Sequence, residues 1–473
     1  MEYLAPVDEM LFQLEHICNV KELQSYEKYN HLDNFTIKTI LDEAAKLSSK
    51  TLAPLNRVAD QTHPKKHGDK VLCPSELSIA YEKISSGGWV GMSGSQEFGG
   101  MDLPLVIASC VNEMLGSACL SLALNPLMTQ GQIEALQSHA SEEIKNRYLP
   151  QLISGRWSGT MNLTEEAAGS DVGALIASAI PKDDGSYEIS GQKIYISWGE
   201  HNLTENICHL VLARLPNSEK GTKGISLFLI PKYLPNALGE IGERNGVTVG
   251  GLEEKMGLHG SPTAVMDYKQ AKGWLVGKPN QGMSTMFTMM NNARLGVAVQ
   301  GLSQAERALQ KAVSHSRDRK QGRSQIENGV GTIIDHADVR KNLLSMKALT
   351  SVSRSLCLDT AISIDLARDS GSSVLSNRAA FLIPIAKAFC TDNGCRVSDI
   401  GIQVHGGLGF IESSGVPQLY RDVRITAIYE GTNGIQGIDL VNRKLSDGGV
   451  AGFALIEEII CTEQLCSRTG ILG

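Results

Sequence analysis

The sequence predicts an α+β chain of several domains, in which an N-terminal helical domain at residues 1–156 is followed by a central antiparallel β domain at 157–280 and a C-terminal four-helix bundle at 281–445. The length of 473 residues corresponds to about three domains. The spacing of apolar residues changes from helical to alternating and back again. Helices and strands therefore occupy separate blocks, which disfavours a doubly wound sheet.

The two helical blocks are marked by apolar residues that recur at steps of three and four. In the first block they include Ile37, Ile40 and Leu41, and in the last block Val339 and Leu343 begin a longer series. This spacing places apolar side chains on one face of a helix. Several long helices of this kind predict a bundle at the C-terminal end.

The middle block is marked by alternation of apolar and polar residues. Tyr187 and Ile189 follow this pattern, and so do residues 225 to 229. An alternating pattern is typical of strands with one buried face. Asp184 and Gly185 precede one of these segments and predict a hairpin turn.

Composition disfavours several classes of function. Lys and Arg total 44 against 51 Asp and Glu, a net charge of −7 without a basic block, which argues against nucleic acid as a partner. We expect no membrane span, because no apolar run approaches the ~20 residues of a spanning helix. We also expect no export, because the N-terminus lacks a secretory leader. The ten cysteines form no C-x-x-C pair, so we expect reduced thiols, no metal site and a cytoplasmic location.

The usual motifs of Rossmann, P-loop, zincin and esterase sites are absent, so other segments must carry the chemistry. Residues 163–171 leave a predicted strand and can present N–H and hydroxyl groups to a phosphate or a polar ring edge. From the residues alone, a turn with Ser170 or Asp171 as a helix cap is the plainer interpretation. Tyr195 and Ser197 lie two residues apart on one strand face, which suits a wall for a flat cofactor.

Two further candidate segments lie near the C-terminus. Residues 401–410 are rich in glycine, where chain and ligand can approach closely, although His405 is more typical of a packed histidine. In residues 425–433, Glu430 ends an apolar run, and loss of hydration would raise the pKa of its carboxylate and make it a stronger base. From the residues alone, a helix start beside a cap at Thr432 is the plainer interpretation.

Taken together, these segments resemble the acyl-CoA dehydrogenase family over residues 33 to 445. The matching segments are Leu163-Thr-Glu165, Ala168-Gly-Ser-Asp171, Gly191-Gln-Lys193, Lys255-Met-Gly257, Gln403–Phe410 and Ile428-Tyr-Glu-Gly-Thr432. Their order and spacing along the chain match those of the family. Within the family, residues 253–263 and 290–294 resemble the branch that contains 3-methylmercaptopropionyl-CoA dehydrogenases and long-chain relatives.

The resemblance implies an FAD-dependent enzyme that holds its cofactor without a Rossmann fold. Its reaction would be α,β-dehydrogenation of an acyl-CoA thioester to the trans-2-enoyl-CoA. Glu430 would abstract the α proton while hydride passes from the β carbon to flavin N5, and electrons would then pass to an electron-transfer flavoprotein. Two alternatives stay open, namely an acyl-CoA oxidase that uses oxygen and a non-catalytic acyl-CoA-binding relative.

The resemblance also assigns roles to individual residues. FAD contacts are expected at Met161, Leu163, Thr164, Gly169, Ser170, Tyr195, Ser197, Arg319, Gln403, Gly406, Gly407 and Thr432. Substrate contacts are expected at Ser170, Asn291, Arg294 and Gly431. Without the family context, Arg294 would be interpreted as an arginine on a helix surface.

The resemblance further bears on assembly. Arg319 matches a residue that reaches the FAD diphosphate of a neighbouring subunit, so the cofactor site would need a homodimer or homotetramer. Relatives in the branch continue beyond the bundle with a further helical extension. We therefore expect residues 446–473 to be a short, apparently truncated tail that leaves one face of the bundle exposed.

Overall fold

The computed structural model describes residues 3–468 except 237, 238, 325, 327 and 447, without the side chains of residue 288 and residues 465–468. Its N-terminal part is helical and includes one short hairpin, of strands β1 (Lys65–His67) and β2 (Lys70–Leu72), that the sequence did not predict. The helices of this part are α1 (Val7–His16), α2 (Val20–Gln24), α3 (Asn34–Leu47), α4 (Leu55–Gln61), α5 (Ser75–Ser86), α6 (Leu105–His139) and α7 (Glu142–Ile153).

Helix α6 runs through the core and receives its N-terminal cap from a distant part of the chain. Its preceding residue Pro104 provides no side-chain cap, but the Asp365 carboxylate accepts hydrogen bonds from the backbone N–H groups of Leu105 and Val106, each at 2.9 Å. Two of the four N–H groups that a helix start leaves unpaired are thereby satisfied. Burial raises the pKa of Asp365 to about 7.

Helix α6 bears on the expectation that the chain has no membrane span. By length and composition it is long and apolar enough to cross a membrane, although the sequence itself predicts no apolar run of that length. Of its most apolar window, 94% is buried inside the protein. The helix is therefore a core helix. Protein surrounds it, and for this reason its apolar residues lie on all sides. Cys119 has non-helical backbone angles and kinks it.

The central part is a β sheet with a mostly antiparallel topology. Its strands are β3 (Trp157–Asn162), β4 (Ser178–Pro181), β5 (Tyr187–Ser197), β6 (Asn206–Arg214), β7 (Ile225–Pro231), β8 (Tyr233–Pro235), β9 (Ile241–Arg244), β10 (Val247–Leu252) and β11 (Thr263–Val276). Seven of them form one sheet in the order β10-β11-β5-β4-β6-β3, in which β7 pairs with β11 and β6. Strands β8 and β9 form a separate pair.

The sheet agrees with the sequence in one detail and differs in another. The predicted turn at Asp184 and Gly185 does join β4 to β5 as an antiparallel hairpin. However, β3 runs parallel to β6 over its six residues, and Ser178 of β4 makes one parallel pairing with Arg214. The sheet is therefore mixed rather than purely antiparallel, because the chain crosses over between β3 and β6.

The C-terminal part is helical again. Its helices are α8 (Gly282–Asp318), α9 (Ala337–Ser370), α10 (Ser373–His405), α11 (Val416–Val423), α12 (Asn433–Asp439) and α13 (Val450–Arg468). Short 3₁₀ helices occur in all three parts of the chain, at Glu27–Tyr29, Gln96–Phe98, Val172–Ala174, Thr222–Gly224, Ile333–Asp335, Gly406–Phe410, Glu412–Ser414 and Arg424–Ala427. Two π turns lie at Ser48–Leu52 and Leu440–Lys444.

Helices α8 and α10 approach each other closely at two glycines. A Cβ atom added to Gly301 would lie 2.5 Å from the backbone oxygen of Cys390, and one added to Gly394 would lie 2.6 Å from the backbone oxygen of Gly301. Real Cβ atoms essentially never come this near to backbone atoms. Only glycine therefore allows the two helices to cross at this distance.

Residues 450–468 of the tail form α13. Arg378 of α10 holds it through an ion pair with Glu458 at 2.8 Å and also pairs with Asp359 at 3.1 Å. Apolar side chains of α13, such as Phe453 and Ile456, remain exposed.

Three parts of the chain meet at one buried carboxylate. Asp60 of α4 accepts two hydrogen bonds from Arg421 of α11, at 2.9 and 2.8 Å. His259, in the loop before β11, lies 2.9 Å from the same carboxylate. The adjacent backbone N–H of Leu258 donates to Asp422 at 2.6 Å. The sheet and both helical parts are thereby joined, and the predicted α+β class is confirmed.

Candidate active site

Glu430 lies in a strained turn between the 3₁₀ turn Arg424–Ala427 and helix α12. Its φ is +55°, and Gly431 follows with φ +81°. A left-handed conformation is uncommon for a residue other than glycine and clusters at functional sites. Two hydrogen bonds stabilise the turn in this conformation. Tyr429 donates its hydroxyl to Gln300 Oε1 on α8, and Thr432 caps α12 by accepting from the N–H of Ile435 at 3.3 Å.

The carbonyl groups of this turn are held by a buried amide. The Nε2 atom of Gln436 donates to the backbone oxygens of Glu430 and Gly431, at 3.1 and 3.0 Å. The backbone N–H of Glu430 makes no hydrogen bond within the described part of the chain. That N–H is consequently a donor available to a ligand. The cap at Thr432 that the plainer interpretation included is present, but α12 begins at Asn433, so Glu430 lies before the cap and does not begin the helix.

The carboxylate of Glu430 is half-buried, and loss of hydration raises its pKa to about 7. Two cations, Arg294 and Lys387, act in the opposite direction and favour the ionised form. A base with a pKa near neutrality is partly ionised at working pH and accepts a proton more readily than a solvated glutamate. A pKa shifted in this way by burial and neighbouring charges is typical of a functional site.

Arg294 is buried, not on a helix surface as the plainer interpretation had it. Its Nη1 atom pairs with Asp439 of α12 at 3.0 Å, and Arg443 lies 3.3 Å from the other oxygen of that carboxylate. Asn291, one turn earlier, is half-buried. Sequence reasoning missed Asp439 and also Lys387, which comes from the middle of α10. A signal for Lys387 existed, since it is the single charged residue of the apolar run at 381–389.

A second group of predicted residues lies where β3 leaves the sheet. The loop after Leu163 is held from below by a buried ion pair, in which Lys193 Nζ lies 2.7 Å from Glu165 and also donates to the Leu163 carbonyl at 3.0 Å. Glu165 in turn accepts from the N–H groups of Ile176 and Ala177. The loop is fixed by its buried side chains, while Gly169 and Ser170 point to the surface.

The cap interpretation of this loop is not what the structure shows. The short 3₁₀ turn that follows has Asp171 at its start, without a side-chain cap hydrogen bond. Ser170 also makes no side-chain hydrogen bond within the described residues. Both groups therefore remain available to a ligand.

Tyr195 stands out on β5 because it lies in a bulge. The pairing of β5 with β11 shifts there, so that two residues of β5 lie opposite one of β11, and Tyr195 has φ +60°. A bulge re-aims a side chain, and the Tyr195 ring is 61% exposed. The N–H of Ile194, its neighbour, donates to the carbonyl of Thr164 at 2.9 Å. The end of β3 and the bulge thus form one surface.

This surface fits a flat, polar-edged cofactor such as the flavin of FAD. Met161, Leu163, Thr164 and Ser197 are half-buried beside the exposed Tyr195 ring. The hydroxyls of Thr164 and Ser197 make no hydrogen bond among the residues that the structure describes. An aromatic plane with unpartnered hydroxyls at its edge suits an isoalloxazine ring that needs both stacking and hydrogen-bond partners.

Apart from Thr432, which caps α12, the remaining predicted FAD residues lie in a separate cluster at the ends of α8 and α10. The rings of His315 and His405 stack with centroids 4.4 Å apart, and His405 also contacts the carbonyl of Gly401 at 2.7 Å, as expected for a packed histidine. Arg319 directly follows α8 and donates to Gln321 at 3.3 Å. Gln403, Gly406 and Gly407 are exposed. Across the described ranges, no hydrogen bond or ion pair joins this cluster to the Thr164 surface.

Among the described residues, no group of three or more His, Cys, Asp or Glu side chains is arranged to hold a metal ion. The nine cysteines whose side chains are described are free thiols.

Fold and site define a flavin-dependent oxidoreductase whose site contains a half-buried glutamate with a raised pKa. Three family models match the chain: the acyl-CoA dehydrogenase N-terminal domain at 36–156, the middle domain at 160–271 and the C-terminal domain at 280–445. The chain belongs to the acyl-CoA dehydrogenase family. Its FAD-dependent oxidoreductase class, predicted from the sequence motifs, is thereby confirmed.

The chain is also similar to individual relatives. It is 43% identical to 3-methylmercaptopropionyl-CoA dehydrogenase of Ruegeria pomeroyi, over 99% of this chain and 81% of the relative. It is 34% identical to a butyryl-CoA dehydrogenase of Syntrophomonas wolfei, over 93% and 75% of the two chains. The structure of butyryl-CoA dehydrogenase from Megasphaera elsdenii superimposes with a TM-score of 0.72 at 26% identity, over 86% of this chain and 98% of that one.

Proposed function

We propose that the protein dehydrogenates an acyl-CoA thioester to the trans-2-enoyl-CoA with Glu430 as the base. The observation that carries the proposal is the pKa of about 7 of a half-buried carboxylate held in a fixed turn. The α proton moves to a carboxylate oxygen of Glu430, and the electron pair of that C–H bond becomes part of the new C=C bond. FAD, when bound, supplies the acceptor for the hydride that leaves the β carbon.

The acidity of the α proton depends on the thioester carbonyl, which must be polarised. We propose the backbone N–H of Glu430 as one donor, since it makes no hydrogen bond to any described residue. Gln436 fixes the adjoining carbonyl groups, so this N–H keeps its direction when a substrate binds. A donor that is already oriented stabilises the developing enolate without reorganisation.

The remaining roles follow the family resemblance. Thr164, Tyr195 and Ser197 would hold the flavin ring, with Met161 and Leu163 beside them, and Gly169 and Ser170 would face the phosphates. Thr432 would contact the flavin. Asn291, Arg294 and Gly431 would lie along the substrate.

Assembly and electron transfer are also part of the proposal. Arg319, Gln403, Gly406 and Gly407 would complete the FAD site of a second copy, which requires a homodimer or homotetramer. Their separation from the Thr164 surface supports this arrangement, and so does the exposure of Phe410, which is 84% exposed beside them. We propose an electron-transfer flavoprotein as the electron acceptor and the cytoplasm as the location.

The test is an anaerobic titration of the FAD-replete protein with a panel of acyl-CoA thioesters. We expect one of them to bleach the flavin absorbance, and we expect Glu430→Gln to retain FAD and lose bleaching. Glu97→Gln changes an exposed glutamate outside the site and serves as the matched control. Near-normal bleaching in Glu430→Gln would overturn the assignment of the base.

The same experiment separates the two alternatives. Stoichiometric hydrogen peroxide under air, without a requirement for an electron-transfer flavoprotein, would identify an oxidase. Binding of acyl-CoA without any bleaching in the FAD-replete protein would identify a non-catalytic binder and overturn the proposed dehydrogenation.

A further inference from the structure

Asp439 is a buried carboxylate at the far end of the helix that follows the base. Helix α12 begins shortly after Glu430 and ends at Asp439, and its seven residues correspond to a rise of about 10 Å. Asp439 is 5% exposed. The neighbouring charges that shift the pKa of Glu430 are those of Arg294 and Lys387. An influence of Asp439 on the base therefore has to pass through one of these cations.

Arg294 is the cation that Asp439 holds. Its Nη1 atom pairs with Asp439 at 3.0 Å, and the side chain is buried. The ring of Phe287 lies 6.0 Å from the guanidinium carbon. The Nε atom is buried and has no hydrogen-bond partner within the described part of the chain. The guanidinium is thus held by one carboxylate and keeps a free donor.

Both cations near the base are bound to groups other than the base. In the described part of the chain, the titratable groups that face Glu430 are Arg294, Lys387 and the adjoining Tyr429. No ion pair joins either cation to Glu430 among these residues, and the Glu430 carboxylate accepts no hydrogen bond there. Lys387 donates to Asn433 at 2.9 Å instead. Helix α12 therefore holds one cation at each end, and the oxygens of the base stay free.

We propose that Asp439 is a positioning residue that keeps Arg294 off Glu430, so that the base stays unpaired and can accept the α proton. Without Asp439, the buried guanidinium would need another acceptor, because a buried charge without a partner is costly. Glu430 is the carboxylate that it already faces. A direct ion pair would occupy the oxygens of the base and lower its pKa. The inference rests on the proposed function, in which Glu430 is the base.

The other cations beside Asp439 are placed differently. Arg443 lies 3.3 Å from its second oxygen and is exposed. Lys444 is half-buried and is close enough for the charge of Asp439 to act on it. Both side chains can turn to solvent when Asp439 is replaced, whereas Arg294 cannot. Replacement of Asp439 should therefore redirect Arg294 toward the base.

The first test is the pH dependence of flavin reduction in FAD-replete Asp439→Asn, with the thioester that bleaches the flavin in the panel above. We expect the midpoint of the rise in rate to move by about one pH unit or more toward acid pH, because a direct ion pair favours ionised Glu430. The limiting rate should fall about tenfold, since a base of lower pKa abstracts the proton more slowly. An unchanged midpoint would overturn the inference.

Two further variants separate this role from a general loss of packing. Asp439→Glu keeps the charge and should bring the midpoint most of the way back. Asp359→Asn is the matched control, because it also removes a carboxylate from a helix, where Asp359 pairs with Arg378 at 3.1 Å outside the site. Its midpoint should equal that of the unmodified enzyme.

A second readout needs neither flavin nor substrate. In the apoprotein, the difference in unfolding temperature between Glu430→Gln and the unmodified protein should grow with pH, because the folded state raises the pKa of Glu430. On the Asp439→Asn background this growth should shrink, because the pKa of Glu430 in the folded state falls toward that in the unfolded chain. Growth of the same size on both backgrounds would overturn the inference.

A further background covers the case in which Asp439→Asn does not fold. Arg294→Gln removes the buried guanidinium, so Asp439 can then be replaced without leaving a buried charge unpaired. If Asp439 acts through Arg294, adding Asp439→Asn to Arg294→Gln should leave the pH-dependent effect of Glu430→Gln in the apoprotein unchanged. A further decrease would show that Asp439 acts on the base directly and would overturn the inference.

Failure of this inference can be told apart from failure of the proposed function. If Glu430→Gln bleaches the flavin almost normally, both are overturned. If Glu430→Gln loses bleaching while Asp439→Asn keeps the pH midpoint of the unmodified enzyme, only this inference is overturned.

Discussion

The ammonium group of Lys387 donates to the side-chain oxygen of Asn433 at 2.9 Å, and this contact binds the middle of α10 to the first residue of α12. Lys387 is fully buried, and loss of hydration lowers its pKa to about 8. Its charge favours the ionised form of Glu430. The lysine is thus a positioning group that acts on the base through its charge and through the start of the helix beside it.

Replacing Lys387 should therefore change the pH dependence of flavin reduction. In Lys387→Met, the loss of a neighbouring positive charge should raise the pKa of Glu430 and move the rise of the reduction rate by about one pH unit toward alkaline pH. Stopped-flow reduction between pH 6 and 9 measures this shift. Lys387→Arg keeps the charge and should restore most of the profile, whereas a purely structural role would leave the midpoint in place.

The raised pKa of Glu430 also has a consequence for stability. A carboxyl group whose pKa is higher in the folded than in the unfolded state binds its proton more tightly when folded, so stability falls as pH rises from about 4.5 to about 7. Glu430→Gln cannot ionise and should avoid this loss. In thermal unfolding of the apoprotein, the unfolding temperature of Glu430→Gln should rise relative to that of the unmodified protein as the pH increases from 5 to 7.5. A constant difference across that range would contradict the assigned pKa.

The ion pair of Lys193 and Glu165 should hold the loop that faces the flavin. Both side chains are buried, so Lys193→Met leaves Glu165 without its cation and should cost about 3 kcal/mol. We expect weaker FAD retention, measured by the release of flavin fluorescence on dilution. The double variant Lys193→Met with Glu165→Leu removes both charges and should recover part of the stability, though not the geometry of the loop.

The remote cap of α6 is the basis of a prediction about folding. Asp365→Ala leaves the N–H groups of Leu105 and Val106 without an acceptor and should lower the free energy of unfolding by about 1 to 2 kcal/mol. Denaturant titration measures the change. Asp365→Asn keeps one acceptor oxygen and should lose less. Equal losses in the two variants would show that the hydrogen bonds contribute little.

The sequence predicts much of the fold and the candidate base, for reasons that are local. Alternation and helical spacing are properties of neighbouring residues, and the apolar run before Glu430 is visible in the chain itself. Asp439 and Gln436 were missed because their importance comes from helix packing. Arg294 and Asp439 lie on helices α8 and α12, far apart in the sequence, and nothing near either residue indicates the other. The parallel pairing of β3 and β6 was missed for the same reason.

The close crossing at Gly301 and Gly394 has a consequence for how the base responds to its surroundings. Arg294 belongs to α8 and Lys387 to α10, and the two helices touch through their main chains. The distance between the two cations is thus set mainly by the contact between the helix backbones, and side-chain rotation changes it little. Heating within the folded range should loosen surface groups long before it separates these helices. The pKa of Glu430 should accordingly change with temperature no more than the pKa of an ordinary carboxylate does. Gly394→Ala should change the pKa of Glu430 although residue 394 is not part of the site.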